Sequence, residues 1–251
     1  MKRLDYDEKL SRIIKNPYEL KQISESAKIS NSCIDVIKRG LCTDGITEKQ
    51  LSNVVNSFIR ISDASLSFPT IVACGKRAQV IHAKPTNKKI KGLGYIDFGA
   101  KYNGYCTDVT VPFVKGEISE TASMILDDTL KIYNTLVNSI RTGSYCWKLH
   151  ETYSKFLKTR GYEVKHSLGH GLGTDVHEFP IITVPKKESS SIFNKKLWKT
   201  IKKIRFEPGM VFTIEPGIYV KGVGGCRIEN DFLIGRKSVK QLTDSVLLNI
   251  P

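Results

Sequence analysis

The sequence predicts an α+β fold built from two similar halves, and three observations lead there. Helical patterning precedes β-prone runs, and that order occurs twice along the 251 residues. Each β-rich block holds a matching phrase, Ile96-Asp97-Phe98-Gly99 in the first and Ile214-Glu215-Pro216-Gly217 in the second. A second acid in an apolar stretch follows each phrase, Asp108 after eleven residues and Glu229 after fourteen. The expected organisation is an N-terminal extension over residues 1–16 and a single domain over 17–251. Its halves are about 17–116 and 117–251, with acids of both facing one cleft.

The elements follow in order. Leu20, Ile23, Ala27, Ile34 and Ile37 recur at helical spacing over residues 17–40, with Gly40 as the expected C-terminal cap. Thr47 and Gln50 form a capping box, with Ile46 and Leu51 as a hydrophobic staple, so a second helix is expected from about 48 to 60. From Phe68 the runs PTIVACG, AQVIHA, GYIDFGA and YCTDVTVPFV read as short strands separated by Gly, Pro and Asn. Ile125, Ile132, Leu136 and Ile140 mark a helix over 120–140, and another is expected at about 146–160. Strand-like segments resume at GMVFTIEPGIYV and CRIENDFLI.

Hydrophobic residues make up 40% and charged residues 25% of the chain, as in ordinary globular enzymes. No run approaches the roughly 18 apolar residues of a membrane span, and the N-terminus lacks the apolar region of a secretory signal. Six cysteines, none in a CxxC pair, fit reduced thiols in a cytoplasm. The net charge of +14 raises the question of an anionic partner. Residues 185–205 concentrate it, with seven lysines and one arginine against one glutamate. Stacking aromatics are nearly absent there, so a solvated surface insertion is preferred to a nucleic-acid site.

The two acids of IDFGAKYNGYCTDVT need a physical reason, because a charge withdrawn from water is costly unless it is paired or holds a metal. An Asn103-Gly104 turn would pair Tyr102 with Tyr105 and set Asp97 opposite Thr110, with Asp108 as its diagonal neighbour. Diagonal positions about 7–8 Å apart let two carboxylates reach a pair of cations. The segment HSLGHGLGTDVHEFP, read as a glycine-rich loop, adds His170 and His177 as a ligand and a nearby acid–base or electrophilic group. It has neither the lysine of a phosphate loop nor the HExxH of a zincin helix. Four carboxylates and one imidazole make an oxygen-rich site that suits Mn²⁺ or Co²⁺, with Fe²⁺ and Zn²⁺ as further candidates. Cys106 and Cys226, although near these residues in sequence, are read as packing residues.

The set GYIDFGAKYNGYCTDVT, GHGLGTDVHEFP, FTIEPGIYV and GGCRIEN resembles the pita-bread metallopeptidases, over about residues 17–250. That family includes methionine aminopeptidases, aminopeptidase P, Xaa-Pro dipeptidase (prolidase) and creatinase. The resemblance implies a curved antiparallel sheet with helices on its outer face. It also implies two divalent ions held by Asp97, Asp108, His170, Glu215 and Glu229, with Asp108 and Glu229 bridging. Glu215 would also move the catalytic proton. His82 matches a substrate-contacting histidine, His177 one that supports the tetrahedral intermediate, and Arg227 an arginine of the proline-specific branch. The implied reaction is hydrolysis of an N-terminal peptide bond, most closely Xaa-Pro, in a peptide substrate, with a homodimer as a further expectation. Barely sixteen residues precede the first helix, and VTVPF follows Asp108 where that branch has a threonine-arginine-threonine run. Methionine aminopeptidase is therefore the alternative. A non-catalytic member binding through its basic surface and a creatinase-like hydrolase are the remaining ones.

Overall fold

The computed structural model describes residues 10–184 and 192–251, and the side chains of 192–196 are not among those described. The first half opens with α1 (Pro17–Leu41) and α2 (Glu48–Ile61). Both start where the sequence supplies a cap. Asn16 and Glu19 form a capping box at α1, and Thr47 and Gln50 form one at α2. Gly40 does not end α1, which continues to Leu41. The absence of a side chain there serves packing instead, since a Cβ on Gly40 would lie 2.6 Å from Leu51 Cδ1.

Six strands follow: β1 (Ser65–Leu66), β2 (Ile71–Cys74), β3 (Gly92–Phe98), β4 (Ala100–Tyr102), β5 (Tyr105–Cys106) and β6 (Val109–Lys115). Asn103 and Gly104 take φ of 48° and 85° in the turn between β4 and β5, and Tyr102 pairs with Tyr105 as the sequence predicts. The same register carries through to β3 and β6 and sets Asp97 against Thr110. Thr107 and Asp108 lie between β5 and β6 rather than inside a strand. The run AQVIHA is not a strand. Gly75, at φ 53°, turns the chain out of β2 into a 3₁₀ turn over Gly75–Gln79, and an irregular loop follows.

The second half repeats the order with α3 (Glu120–Val137) and α4 (Trp147–Thr159), then β7 (Gly169–Gly171) and β8 (Glu178–Ile182). After them come α5 (Ile192–Ile201), β9 (Val211–Ile214), β10 (Gly217–Val220), β11 (Gly224–Arg227), β12 (Asn230–Ile234), β13 (Val239–Gln241) and β14 (Leu248–Ile250). Of the lysine-rich segment expected over 185–205, residues 185–191 lie outside the described residues, and α5 accounts for most of the remainder.

Two sheets result. One has the order β14-β6-β3-β2, the other β13-β12-β9-β7-β8, and the chain's end returns to the first sheet, where β14 runs parallel to β6. Each sheet buries its own core. Ile37, Leu51 and Val55 of the first helix pair pack with Ile96, Phe98 and Val111, while Ile132, Leu136 and Tyr153 of the second pack with Phe212, Ile214 and Phe232. The sheets meet at one antiparallel bridge between Thr110 and Glu229, with Glu229 N donating to Thr110 O at 3.0 Å. Acids from the two halves converge there.

Leu51 is fully buried between α1 and the first sheet. Leu51→Ala is expected to cost about 2–5 kcal/mol in denaturant unfolding, by lost burial and the cavity left behind.

Candidate metal centre

Each acid reaches the seam from a different place. Asp97 is the penultimate residue of β3, Asp108 precedes β6, Glu215 follows β9, and Glu229 sits between β11 and β12. His170 lies on β7, so the glycine-rich segment is not a loop throughout: it forms β7 and part of β8, with a bulge between His170 and Gly171. Its glycines make that possible. A Cβ on Gly169 would lie 2.0 Å from Thr213 O and one on Gly171 would lie 1.9 Å from Phe179 O, so only glycine admits such close strands.

The five side chains converge. One oxygen from each of Asp97, Asp108 and Glu229 lies within 4.8 Å of the others, and donor atoms of His170, Glu215 and Glu229 meet the same limit. Glu229 belongs to both groups. His170 Nε2 is 3.5 Å from Asp108 Oδ2 and 3.7 Å from Glu215 Oε1. Its Nδ1 lies 3.1 Å from Gly171 O. A proton on Nδ1 would bond that carbonyl and leave the Nε2 lone pair facing the carboxylates, the tautomer a metal ligand needs.

Burial and mutual repulsion act on these acids together. Burial first, then the charges of Glu229 and Asp97, push Asp108 well above the usual carboxylate range. Glu215 is raised in the same way by burial and Glu229, and Glu229 by burial and Asp97. Burial alone would lower Arg227, yet Tyr219 and Asp97 hold its guanidinium charged. Arg227 is 2% exposed. It donates to Asp97 Oδ2, to Tyr219 Oη (2.6 Å) and to Thr110 Oγ1 (3.0 Å), and lies 4.5 Å from the centre of the Tyr95 ring.

One cation does not satisfy so many oxygens. Asp97 Oδ1 and Glu229 Oε1 are buried with no hydrogen-bond partner among the described residues. Orphaned carboxylate oxygens on two residues of these converging donor groups, with an imidazole in the second group, fit divalent cations.

Residues that the sequence reading did not single out complete the centre. His166, four residues before His170, has Nδ1 3.5 Å from Glu215 Oε2 and Nε2 3.0 Å from Tyr219 Oη, and burial pushes its pKa down to about 3. The HxxxH spacing was the available signal. Thr110 Oγ1 donates to Glu229 Oε2 at 2.8 Å, and Asp231 Oδ2 accepts from Asp108 N at 3.3 Å. Cys106 and Cys226 are buried packing residues, as expected, and neither is in the donor groups.

The centre forms the floor of a cleft of about 940 Å³ with Phe68, Ile71, Ile81 and Phe179 on its apolar wall. His82 and His177 both line it, and the His177 ring centre is 4.4 Å from that of His170. Burial, then the neighbouring His170, lower the His177 pKa. Residues just before α1 brace this wall. Lys15 Nζ donates to Glu178 Oε2 at 2.8 Å, and Arg12 pairs with Asp175 and Glu178.

Two helix–sheet halves with a buried carboxylate–histidine cluster at the floor of a cleft define a candidate site for divalent cations. The chain belongs to metallopeptidase family M24, whose model matches residues 21–236. It is 33% identical over 245 residues to uncharacterized peptidase SH1217 of Staphylococcus haemolyticus, covering 96% of this chain and 65% of that one. Uncharacterized peptidase YqhT of Bacillus subtilis is 35% identical over 239 residues, with coverages of 93% and 63%. The chain thus spans about two thirds of the length of these relatives. Among solved structures, prolidase from Thermococcus sibiricus superposes with a TM-score of 0.85 at 32% identity, covering 97% of this chain and 64% of that one. Xaa-Pro dipeptidase from Bacillus anthracis gives 0.84 at 30% identity, with coverages of 96% and 65%. The pita-bread fold expected from the sequence is the one observed.

The raised carboxyls set the pH dependence of cation binding. In the folded protein they hold protons above the unfolded value of about 4, so this burial destabilises the metal-free fold increasingly as pH rises through that interval. His150 and His166, pushed down to about 4 and about 3 chiefly by burial, act in the opposite direction as pH falls below their unfolded value, and their folded forms stay neutral from about pH 5.5 to about pH 8. Cations must displace the carboxyl protons. The rise in Tm on adding Mn²⁺ is therefore expected to be larger at about pH 8 than at about pH 5.5. Thermal melts with and without the ion at each pH measure it.

Proposed function

We propose that this chain is an exopeptidase that holds two divalent cations and hydrolyses an N-terminal peptide bond, with Xaa-Pro as the preferred site. The observation that carries the proposal is the pair of donor groups sharing Glu229, with buried oxygens of Asp97 and Glu229 left unpaired. In this reading Asp97, Asp108 and Glu229 hold one ion, and His170, Glu215 and Glu229 hold the other. Asp108, whose Oδ2 lies 3.5 Å from His170 Nε2, would serve as the second carboxylate available to both ions. Mn²⁺ or Co²⁺ suits the donors best. Ions bound there would supply Lewis acidity, lowering the pKa of a water and polarising a carbonyl.

The protein's own groups do the remaining work. Glu215, raised by burial, moves a proton from the attacking water to the leaving nitrogen. His166, kept neutral by its environment and bonded through Nδ1 to Ser167 O at 2.7 Å and Nε2 to Tyr219 Oη at 3.0 Å, stands as a fixed wall beside the Glu215 carboxylate. His177 and His82 line the cleft where a scissile carbonyl would lie and donate hydrogen bonds to its oxygen. Arg227 fixes the Asp97 carboxylate, and the apolar wall excludes water from the bond being cut.

Preference for Xaa-Pro is supported by Arg227 within GGCRIEN and by similarity above 30% to the Thermococcus sibiricus prolidase. Six free cysteines support action in the cytoplasm. Among the described residues no helix is long and apolar enough to cross a membrane.

Purified protein loaded with Mn²⁺ is expected to hydrolyse Xaa-Pro dipeptides or Xaa-Pro-Yaa tripeptides faster than Met-Ala-Ser. Cleavage of the methionine peptide alone would reassign it to methionine aminopeptidase, and cleavage of none would remove the peptidase reading. Glu215→Gln should lower kcat by about 100-fold or more, since both proton transfer and a cation ligand are affected.

A further inference from the structure

Glu48 is fully buried in the first turn of α2, outside the donor groups and away from the cleft lining. A carboxylate in such a place needs a reason, and its partners supply one. Oε2 accepts from Thr86 Oγ1 (2.7 Å), Thr86 N (3.0 Å) and Arg77 Nε (3.1 Å), and Oε1 accepts from Cys74 N (3.3 Å). All of these donors belong to the connection between β2 and β3, residues 75–91, or to Cys74, the last residue of β2. Arg77 extends the network by donating to Lys84 O at 2.6 Å.

This connection supplies His82, Ala83, Lys84 and Pro85 to the wall of the cleft. It has no strand and only one short 3₁₀ turn, and its one ladder-type contact is the bridge between Thr47 and Lys89 at its far end. On the sheet side Tyr95 Oη lies 2.9 Å from Val80 O and 3.2 Å from Ile81 O, just before His82. On the helix side Glu48 gathers the start, the 3₁₀ turn and the return leg onto one carboxylate. Backbone bonds from Glu48 N to Lys88 O (3.0 Å) and from Lys49 N to Thr86 O (2.9 Å) fasten the return leg beside it. His82 is thus suspended between a tyrosine hydroxyl and a buried carboxylate.

We propose that Glu48 is a positioning residue that fixes the 75–91 connection and through it places His82 over the metal centre. It lines neither the cleft nor the donor groups for divalent ions. The inference rests on the proposed peptidase reading only for the consequence of moving His82. Glutamine is a sharp probe of this device, because its amide nitrogen must face N–H and O–H donors that the second carboxylate oxygen accepts from.

The experiment compares wild type, Glu48→Gln, His82→Ala and the double variant as full chains. In Glu48→Gln, hydrogen exchange at the amides of residues 76–88 is expected to accelerate about tenfold or more, with β3 and β6 unchanged. Mn²⁺ affinity should stay within about threefold of wild type, while kcat/KM for the best peptide falls about 10- to 100-fold. In the His82→Ala background Glu48→Gln should change kcat/KM by less than about threefold, because its effect passes through the missing ring. Unchanged exchange over 76–88, a parallel loss of Mn²⁺ affinity, or full additivity with His82→Ala would each overturn the proposal. If wild type cleaves none of the peptides, the function proposed above fails, but the His82 ring signal in ¹³C-histidine NMR still decides this one. Broadening or a shift in Glu48→Gln supports it, and an unaltered signal sinks it. Should Glu48→Gln not fold, Thr86→Val, which removes only the 2.7 Å bond, carries the same readouts with smaller expected changes.

Discussion

Like charges gathered out of water at the seam between two sheets are the constraint on which the rest of this structure depends. Asp97, Asp108, Glu229 and the neighbouring Asp231 are all 7% exposed or less. Each raises the cost of ionising another, and the buried cation in direct contact with them is Arg227, which pairs with Asp97. A fold would not concentrate carboxylates this way for stability alone, since apolar side chains of similar size would pack at less cost. The arrangement becomes favourable when divalent cations occupy the space between the oxygens. Both helix–sheet halves are therefore best understood as supports that bring chain segments distant in sequence to one point.

Support is layered around that point. Thr110 is the residue through which the sheets touch, and its hydroxyl also bonds Glu229 and Arg227. Arg227 leads on to Tyr219, and Tyr219 to His166, which stands beside Glu215. A single chain of hydrogen bonds thus ties acids of the first half to acids of the second. On the opposite wall Tyr95 lies against Arg227 while its hydroxyl holds the carbonyls before His82. Cation ligands and cleft-lining groups are consequently parts of one polar network, set between the two apolar cores.

Local chemistry made much of this legible in the sequence. The Thr47–Gln50 capping box starts α2 where expected, and the Asn103-Gly104 turn fixes the register that places Asp97 opposite Thr110. The four acids stood out because a carboxylate among apolar strand residues is costly to bury unless a cation compensates it, while the choice of His170 as the fifth residue came from the resemblance to the metallopeptidases. What escaped depended on distant partners. The AQVIHA run has strand-like residues, but Tyr95 and Glu48, far from it in sequence, hold its neighbourhood as a turn and loop. The segment HSLGHGLG reads as a loop, whereas its glycines form a strand and admit Thr213 and Phe179 carbonyls at distances no side chain would permit. Gly40 read as a cap for the same reason: nothing local announces the Leu51 methyl beside it. Thr110 carries no charge signal of its own and His166 only its HxxxH spacing, so what each supports is seen once Glu229 and Glu215 are in place.

The most direct measurement of the central claim is the number and position of bound cations. Crystals of the full chain soaked in Mn²⁺ and recorded at the manganese absorption edge should show two anomalous peaks per chain, both enclosed by Asp97, Asp108, His170, Glu215 and Glu229. Glu229→Gln, which alters the carboxylate common to both donor groups, should remove at least one of them. A cleft floor without peaks, or manganese bound elsewhere and indifferent to Glu229, would contradict the account.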